Sequence, residues 1–469
     1  MNETICALAT APGGAIGIIR ISGPQTLEIL SRVFTKNLTN AEANTIHYGH
    51  IVSHVLPSSG EEGPGVEAKV ILDEVLVSVF RAPHSYTGEE SAEISCHGSR
   101  YILNKVLALL IENGCRQAQP GEFTQRAYLN GKMDLSQAEA VADLIASTNK
   151  ATHQMAMSQL RGHFSSELAQ LRDQLLKLTS LLELELDFSD HEDLEFADRS
   201  ELLELTKNID KHIIRLAHSF ETGQALKQGI PVAIVGKTNV GKSTLLNALL
   251  KDDRAIVSDV HGTTRDTIED TIDINGVTFR FIDTAGIRQT QDEVEQIGIS
   301  RTYAAIEKAR IVLWLIDAKP SDSEVQDMQE RCRDKSLIII QNKIDVSTHL
   351  SLGGGVGGGG DKNCLNHLTI SAKTGIGLDT LEATIYQAAA IPTLQENDVI
   401  VTNARHYDAL IRAHEHLLRV LDGMAQNISG DLLSEDLRLT LDTLAEITGG
   451  QITPNEVLGN IFKNFCVGK

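Results

Sequence analysis

The run Gly236-Lys237-Thr238-Asn239-Val240-Gly241-Lys242-Ser243 constrains the fold of this chain more than any other feature. It has the spacing G-x-x-x-x-G-K-[ST], follows the apolar stretch Val232 to Val235 and precedes the helical run Thr244 to Leu250. A strand that delivers its end to a glycine-rich turn and a helix N-terminus builds a phosphate cradle. Glycines admit backbone N–H groups to the anion, Lys242 brings a cation to the β and γ oxygens, and the Ser243 hydroxyl suits Mg²⁺. The bland alternative is a glycine-rich turn that caps a helix. The flanking strand and helix argue against it.

Three further segments follow in order. Asp283-Thr284-Ala285-Gly286 closes the next apolar strand, where a carboxylate reaches Mg²⁺ through water and the glycine backbone senses a γ-phosphate. Upstream, Gly262-Thr263-Thr264-Arg265-Asp266 offers a hydroxyl to complete the metal shell, and Thr264 is the choice. Asn342-Lys343-Ile344-Asp345 ends another apolar strand and selects the base. A carboxylate at Asp345 accepts two N–H bonds from guanine, whereas adenine has no amino group at its 2-position. Ser371-Ala372-Lys373 adds a backbone contact to the base carbonyl. Each motif lies at a strand's C-terminal end, where open α/β sheets bind ligands. GTP is the expected substrate.

Around this unit, 469 residues call for about three domains. Residues 1–130 mix β-rich runs (Ile16 to Ile21, Glu74 to Phe80, Ala92 to Cys96) with a helical run from Tyr101 to Glu112, a small α+β domain. From Leu135 the texture is helical. Ser136 and Glu139 have capping-box spacing, and Leu168, Leu171, Leu175, Leu178 and Leu182 form an apolar stripe. A second stripe, Leu202, Leu205, Ile209, Ile213, Leu216 and Phe220, is expected to stop at Gly223. Residues 224–390 alternate strand, loop and helix, with apolar runs Ile311 to Ile316, Leu337 to Ile340 and Leu368 to Ile370 that predict a mostly parallel sheet. Thr267 to Ile274 and Val277 to Ile282 alternate about Asn275-Gly276, which predicts a hairpin and an antiparallel edge strand. Residues 353–360 read as a flexible surface insertion. Beyond Pro392 helical periodicity returns, so residues 131–223 and 391–469 are expected to form one helical domain interrupted by the α/β unit.

Charge narrows the partners. With 63 acidic against 42 basic residues, the net charge of -21 repels nucleic acid and anionic membrane, so a polyanion partner needs a local basic site. The six cysteines form no C-x-x-C pair, which fits a reducing compartment and no zinc ribbon. There is no basic-then-apolar leader pattern and no stretch near the roughly 18 apolar residues of a membrane span, so a cytoplasmic protein is expected.

Hydrolysis poses a separate question. Familiar regulatory GTPases place a Gln directly after D-x-x-G to orient water, and here that position is Ile287. A monovalent cation beside the phosphates could supply the missing charge, with Asn239 as side-chain ligand. Glu295, in Asp292-Glu293-Val294-Glu295, could orient the water, or it could belong to a solvated charge cluster at a helix start.

Ile18-Ile19-Arg20-Ile21-Ser22-Gly23, the segment Pro120 to Ala127, the run Asp134 to Ile145 and the ending Phe465-Cys466-Val467-Gly468-Lys469 resemble the tRNA-modification GTPases called MnmE or TrmE. The resemblance spans nearly the whole chain. It implies a homodimer formed through N-terminal domains that bind 5-formyltetrahydrofolate or a related one-carbon folate, a helical domain from both flanks, and an inserted Ras-like G domain. It implies K⁺ held by Asn239, Ser258, Val260 and Thr263, Mg²⁺ held by Ser243 and Thr264, and Glu295 as the catalytic glutamate. Folate contacts fall at Arg20, Glu93, Lys132 and Lys469. The implied GTP contacts are Asn239, Val240, Gly241, Lys242, Ser243 and Thr244; Ser258, Asp259, Val260, His261, Gly262, Thr263 and Thr264; Asp283, Thr284, Ala285 and Gly286; Asn342, Lys343 and Asp345; and Ser371, Ala372 and Lys373. The implied process adds a carboxymethylaminomethyl-type group to C5 of the wobble uridine of certain tRNAs, with the FAD-dependent partner MnmG (GidA) in a heterotetramer. Cys466 acts in that chemistry or simply packs; a lone thiol without a nearby His favours packing.

Two rivals remain. A regulatory or ribosome-assembly GTPase would act as a binding switch, often through a basic RNA-binding module with a G-x-x-G loop, and the segment after 391 has no such glycine spacing. A P-loop kinase or ATPase would lack Asn342 to Asp345.

Overall fold

The computed structural model describes residues 3–55, 68–187, 199–251, 270–282, 303–345, 366–392, 398–426 and 428–450, with 458, 461–463, 465 and 468 of the closing segment. The chain divides into two compact units. One comprises Met1–Ala146, Ala156–Asp210 and Arg412–Lys469, the other Ser147–Met155 and Lys211–Ile411.

The first unit opens with β1 (Ile5–Leu8), β2 (Ile16–Ser22), α1 (Thr26–Val33), β3 (Thr45–Val55), β4 (Ala68–Phe80), β5 (Ser91–His97), α2 (Arg100–Glu112), β6 (Arg116–Gln117) and α3 (Glu122–Leu129). Its strands form one sheet in the order β3-β4-β5-β2-β1-β6, antiparallel apart from β1 with β6. Period-two alternation divides its faces. Ile19, Ile21, Val75, Val77 and Ile94 are buried with Leu30 of α1 and Leu103 and Val106 of α2. On the other face Tyr48 lies opposite Leu76, and both are exposed, as are Ile46 and Ile16.

Helices α4 (Leu135–Ala146), α5 (Lys150–Leu160), α6 (His163–Asp187) and α7 (Arg199–Gln228) follow. The expected capping box lies two residues upstream of its predicted place. Asp134 Oδ1 accepts from the Gln137 amide, and Gln137 Oε1 accepts from the Asp134 amide, both at 2.9 Å. Ser136 instead donates its hydroxyl to Asp134 Oδ1 at 2.8 Å, because the helix begins one residue before it. Along α6 the stripe Leu168, Leu171, Leu175, Leu178 and Leu182 is buried, each side chain contributing roughly 1.5–3 kcal/mol by area.

Gly223 does not end α7. The helix runs on to Gln228 and stops before Gly229, which takes the left-handed φ of +83°. Gly223 is needed for close approach: a Cβ there would sit 2.2 Å from the Val401 carbonyl oxygen. The same contact is bound by Val401 N donating to Ser219 Oγ at 3.0 Å and Gln224 Nε2 donating to Thr402 O at 2.7 Å.

The second unit holds β7 (Ile230–Gly236), α8 (Lys242–Lys251), β8 (Asp270–Ile274), β9 (Val277–Phe281), β10 (Ile311–Ile316), α9 (Asp322–Arg331), β11 (Ser336–Gln341), β12 (Asn366–Thr369) and α10 (Leu378–Ala388). The sheet order is β12-β11-β10-β7-β9-β8, parallel except for β8. β8 is the antiparallel edge strand that the Asn-Gly signal predicted, with φ of +54° at Asn275 and +80° at Gly276. β10 is buried along its whole length, as a central parallel strand must be. Residues 353–360 lie outside the described residues.

The chain then forms α11 (Ala404–Ala425) and α12 (Gly430–Thr448). The second half of α11 meets the first half of α7, where His414 Nδ1 and Asp210 Oδ1 are 2.5 Å apart. α12 packs on α6, and Arg438 bonds Glu183 at 2.8 Å.

Gly223→Ala separates close packing from helix propensity. In an open helix this change stabilises by about 1 kcal/mol. Here it should destabilise by roughly 1–3 kcal/mol, as overpacking does, in chemical denaturation of the full chain.

Candidate functional site

Parallel pairing of β7, β10, β11 and β12 brings their C-terminal ends to one edge of the sheet, and the loops leaving them carry the predicted motifs. After β7 the chain passes through Asn239, whose φ is +60°, and Gly241, whose φ is +101°, into the first turn of α8. That turn begins at Lys242, so Lys242, Ser243 and Thr244 sit where a helix presents backbone N–H groups without intrahelical partners. Lys242 Nζ donates to the carbonyl oxygens of Gly236 at 2.7 Å and Lys237 at 2.8 Å. Burial lowers its pKa from the ordinary lysine value, and an anion in the loop would favour its charged form.

Asn342 is the hub. Its side chain is buried, with Nδ2 donating to Val240 O at 2.8 Å and Oδ1 accepting from the Ala372 amide at 3.0 Å. One amide group thereby ties the phosphate loop to the loop after β12. Gly241 makes room for it, since a Cβ there would lie 2.3 Å from Asn342 Nδ2.

Asp345 is exposed, and its Oδ1 accepts from the buried Ser371 hydroxyl at 2.8 Å. Ser371 Oγ also accepts from Thr374 N at 3.3 Å. A hydroxyl thus holds the Asp345 carboxylate from one side. Lys343 takes a φ of +66°, and its ammonium lies 3.5 Å from Asp317. Lys373 is exposed.

The structure therefore brings together Asn239, Val240, Gly241, Lys242, Ser243, Thr244, Asn342, Lys343, Asp345, Ser371, Ala372 and Lys373. Ser258, Asp259, Val260, His261, Gly262, Thr263, Thr264, Asp283, Thr284, Ala285, Gly286 and Glu295 lie outside the described residues. Sequence reading missed Asp317, although its place directly after the apolar run Ile311–Ile316 puts it at a strand end like the others. It also missed Glu324, which pairs with Lys237 at 2.8 Å.

A second group of predicted positions lies in the first unit. Arg20 and Glu93 are cross-strand partners on β2 and β5, and Arg20 donates through Nε and NH2 to Glu93 Oε1 at 2.9 and 2.7 Å. The guanidinium also donates to Gly468 O at 3.3 Å and lies 5.4 Å from the Tyr86 ring centre and 5.8 Å from that of Phe123. Tyr86 shares a 2.9 Å hydrogen bond with Thr124, and burial raises its phenol pKa. Lys132 Nζ donates to Pro83 O at 3.0 Å. Lys469 and Cys466 lie outside the described residues.

Beneath these, Arg126 is almost wholly buried and donates to Glu122 and Glu89, while Glu122 also accepts from Arg116 at 2.6 Å. This network explains the polar residues of the Pro120 to Ala127 segment as fold determinants.

Residues 4–132 match the family model described as GTP-binding protein TrmE N-terminus, and residues 135–466 match the MnmE helical domain. The tRNA modification GTPase MnmE of Phocaeicola vulgatus is 53% identical over 496 residues, covering 100% of this chain and 99% of that protein. Its counterpart in Bacteroides thetaiotaomicron is 53% identical over 479 residues, with 100% of both chains covered. This chain belongs to the MnmE family. The MnmE helical match begins before the α/β unit and ends after it, so both helical flanks fall under one domain description. Membership extends to more distant MnmE sequences, such as that of Flavobacterium johnsoniae at 49% identity over 491 residues, covering 100% of this chain and 99% of that protein.

Ser371→Ala should loosen Asp345 without disturbing the phosphate loop. Hydrogen bonds to charged groups are worth about 1.5–3 kcal/mol, so guanine-nucleotide affinity should fall roughly tenfold or more by titration calorimetry.

Proposed function

We propose that this chain is a GTP hydrolase acting in tRNA wobble-uridine modification. The observation that carries the hydrolase part is the Asn342 bracket, which joins a phosphate loop to a base loop beside a carboxylate suited to guanine. The tRNA part is supported by full-length similarity to tRNA modification GTPases.

GTP and water yield GDP and phosphate. Backbone amides of Asn239 to Thr244 and the Lys242 ammonium would hold the triphosphate and meet the charge that develops on the leaving group. Ser243 and Thr264 would hold Mg²⁺, joined by Asp283 through water. Ser243 lies in the first turn of α8, where a hydroxyl fits that role. Glu295 would orient the attacking water, since Ile287 has no group to do so. Asn239, Ser258, Val260 and Thr263 would hold K⁺, and the exposed amide of Asn239 is a suitable oxygen donor. A cation there supplies the positive charge that an arginine finger brings elsewhere.

The folate reading assigns Arg20, Glu93, Lys132 and Lys469 to 5-formyltetrahydrofolate or a related one-carbon folate. The described residues fit such a ligand in kind: a fixed guanidinium–carboxylate pair and an ammonium suit the polar edges and carboxylates of a folate, and Tyr86 offers an aromatic face. A homodimer would cover the exposed apolar face of Ile16, Ile46, Tyr48 and Leu76. We place residues 1–130, 131–223 with 391–469, and 224–390 as the folate-binding, helical and G domains. MnmG (GidA), an FAD-dependent partner, would complete a heterotetramer that acts on tRNA in the cytoplasm. Among the described residues no helix is long and apolar enough to cross a membrane.

Asp345→Asn should shift preference from GTP toward xanthosine triphosphate, and unchanged GTP affinity would defeat the base assignment. Turnover should be faster in K⁺ than in Na⁺ at equal ionic strength, and should collapse in Glu295→Ala while GTP binding persists. Equal rates in the two salts would remove the cation. Wild-type wobble nucleosides, by mass spectrometry of tRNA from cells lacking this chain, would remove the tRNA role and leave the hydrolase standing.

A further inference from the structure

In the sheet of the second unit β10 lies between β7 and β11. Its last register partners are Gly236, opposite Leu315, and Gln341, opposite Ile316. Directly beyond each partner a site loop begins, the phosphate loop at Lys237 and the base loop at Asn342. The chain that leaves β10 is thus the neighbour of both. It is short, since residues 317–321 alone join β10 to α9.

The far end of that loop is stiff. Pro320 fixes its own φ, and Ser321 and Glu324 close a capping box at the start of α9. The Ser321 amide donates to Glu324 Oε2 at 2.9 Å, and the Glu324 amide donates to Ser321 Oγ at 3.3 Å. The other oxygen of Glu324, Oε1, lies 2.8 Å from Lys237 Nζ. Lys237 first, and then the Ser321 bonds, hold the Glu324 carboxyl down to about 2, so it is ionised at any working pH. The carbonyl of the same Lys237 accepts from the Lys242 ammonium. At the near end of the loop Asp317 Oδ2 lies 3.5 Å from the ammonium of Lys343, a residue held at the left-handed φ of +66°.

Asn342 joins the two site loops from inside, through a buried amide. The ion pairs join them from the solvent side, where Lys237, Glu324, Lys343 and Asp317 are all well exposed. A lone exposed pair contributes little because long side chains wander. Here both carboxylates stand on one short, capped stretch, so less freedom is lost when they pair. A nucleotide that spans the phosphate and base loops leaves only as they part, and parting them breaks these pairs. The opposite effect is also conceivable, since carboxylates close to a polyphosphate repel it and hasten its release. The two effects have opposite signs.

We propose that Asp317 and Glu324 are positioning residues that brace the phosphate and base loops from the stretch after β10, and so slow the release of a bound guanine nucleotide. The brace rests on the GTPase reading and adds to it a control on how long the nucleotide stays. It acts through Lys237 and Lys343, and neither carboxylate is assigned a contact with the nucleotide.

The test is the release of a fluorescent GDP analogue from the full chain with Mg²⁺, chased with unlabelled GDP. Asp317→Asn and Glu324→Gln remove the charges and keep the shapes, and a Gln still closes a capping box. Each should speed release about two- to fivefold at low salt, the size that an exposed pair supplies. The double variant should release faster by about the product, since the two pairs share no residue. Near 1 M salt, where the Debye length is about 3 Å, wild type and variants should release alike, which a merely structural role would not produce. Lys237→Gln should speed release as Glu324→Gln does, and combining those two should add nothing further. Release that is unchanged or slower in Asp317→Asn or Glu324→Gln overturns the brace alone. So does a difference that persists at high salt, or additive effects of Lys237→Gln and Glu324→Gln. A wild type that retains no guanine nucleotide overturns the GTPase reading and takes the brace with it.

Discussion

The second unit depends on one buried amide. Asn342 meets the phosphate loop through Val240 O and the base loop through the Ala372 amide, so two loops that leave different strands are fixed by the donor and the acceptor of a single side chain. Such a group is costly to bury with either half unmet and is rigid when both are met. The left-handed turn at Gly241 exists to let it in, and Ser371, next to Ala372, then stands where it can hold Asp345. On the proposed reading, phosphate grip and base choice therefore depend on the same contact.

The first unit uses charge in a different way. Arg20 is steered by its cross-strand partner Glu93 and by two aromatic rings, and stays half-buried at the sheet surface. In the same unit Arg126 is buried outright, and two carboxylates and a main-chain carbonyl accept from its two terminal nitrogens. A half-buried arginine with aromatic neighbours suits ligand recognition, whereas a fully enclosed one ties α3 to Glu3 and Glu89. The same residue type is thus left accessible to a ligand in one place and committed to construction in another, and burial separates the two.

The helices show where local pattern runs out. The leucine stripe of α6 was legible because burial repeats at three and four residues, and the β8–β9 hairpin was legible because Asn275-Gly276 fits few other turns. Gly223 was misread because a glycine that ends a helix and one that admits a neighbouring chain look alike in sequence. Only the Val401 carbonyl, 178 positions away by number, distinguishes them. The Asp134–Gln137 box was displaced from Ser136–Glu139 because both pairs have the same spacing, and the choice depends on which residue enters the helix first.

Sequence by itself determined the order of the four motifs along the chain, the mostly parallel sheet, the expectation of a guanine nucleotide and the helical texture of both flanks. These follow from backbone geometry and short-range chemistry, which a stretch of a few residues encodes completely. Tertiary structure alone decided that Asn342 bridges two loops, that Ser371 backs Asp345, that Tyr86 faces Arg20 and that the first turn of α5 belongs with the β8–β9 hairpin. Each joins residues far apart in the chain, and the energy of such a contact depends on burial and distance, which no local spacing records.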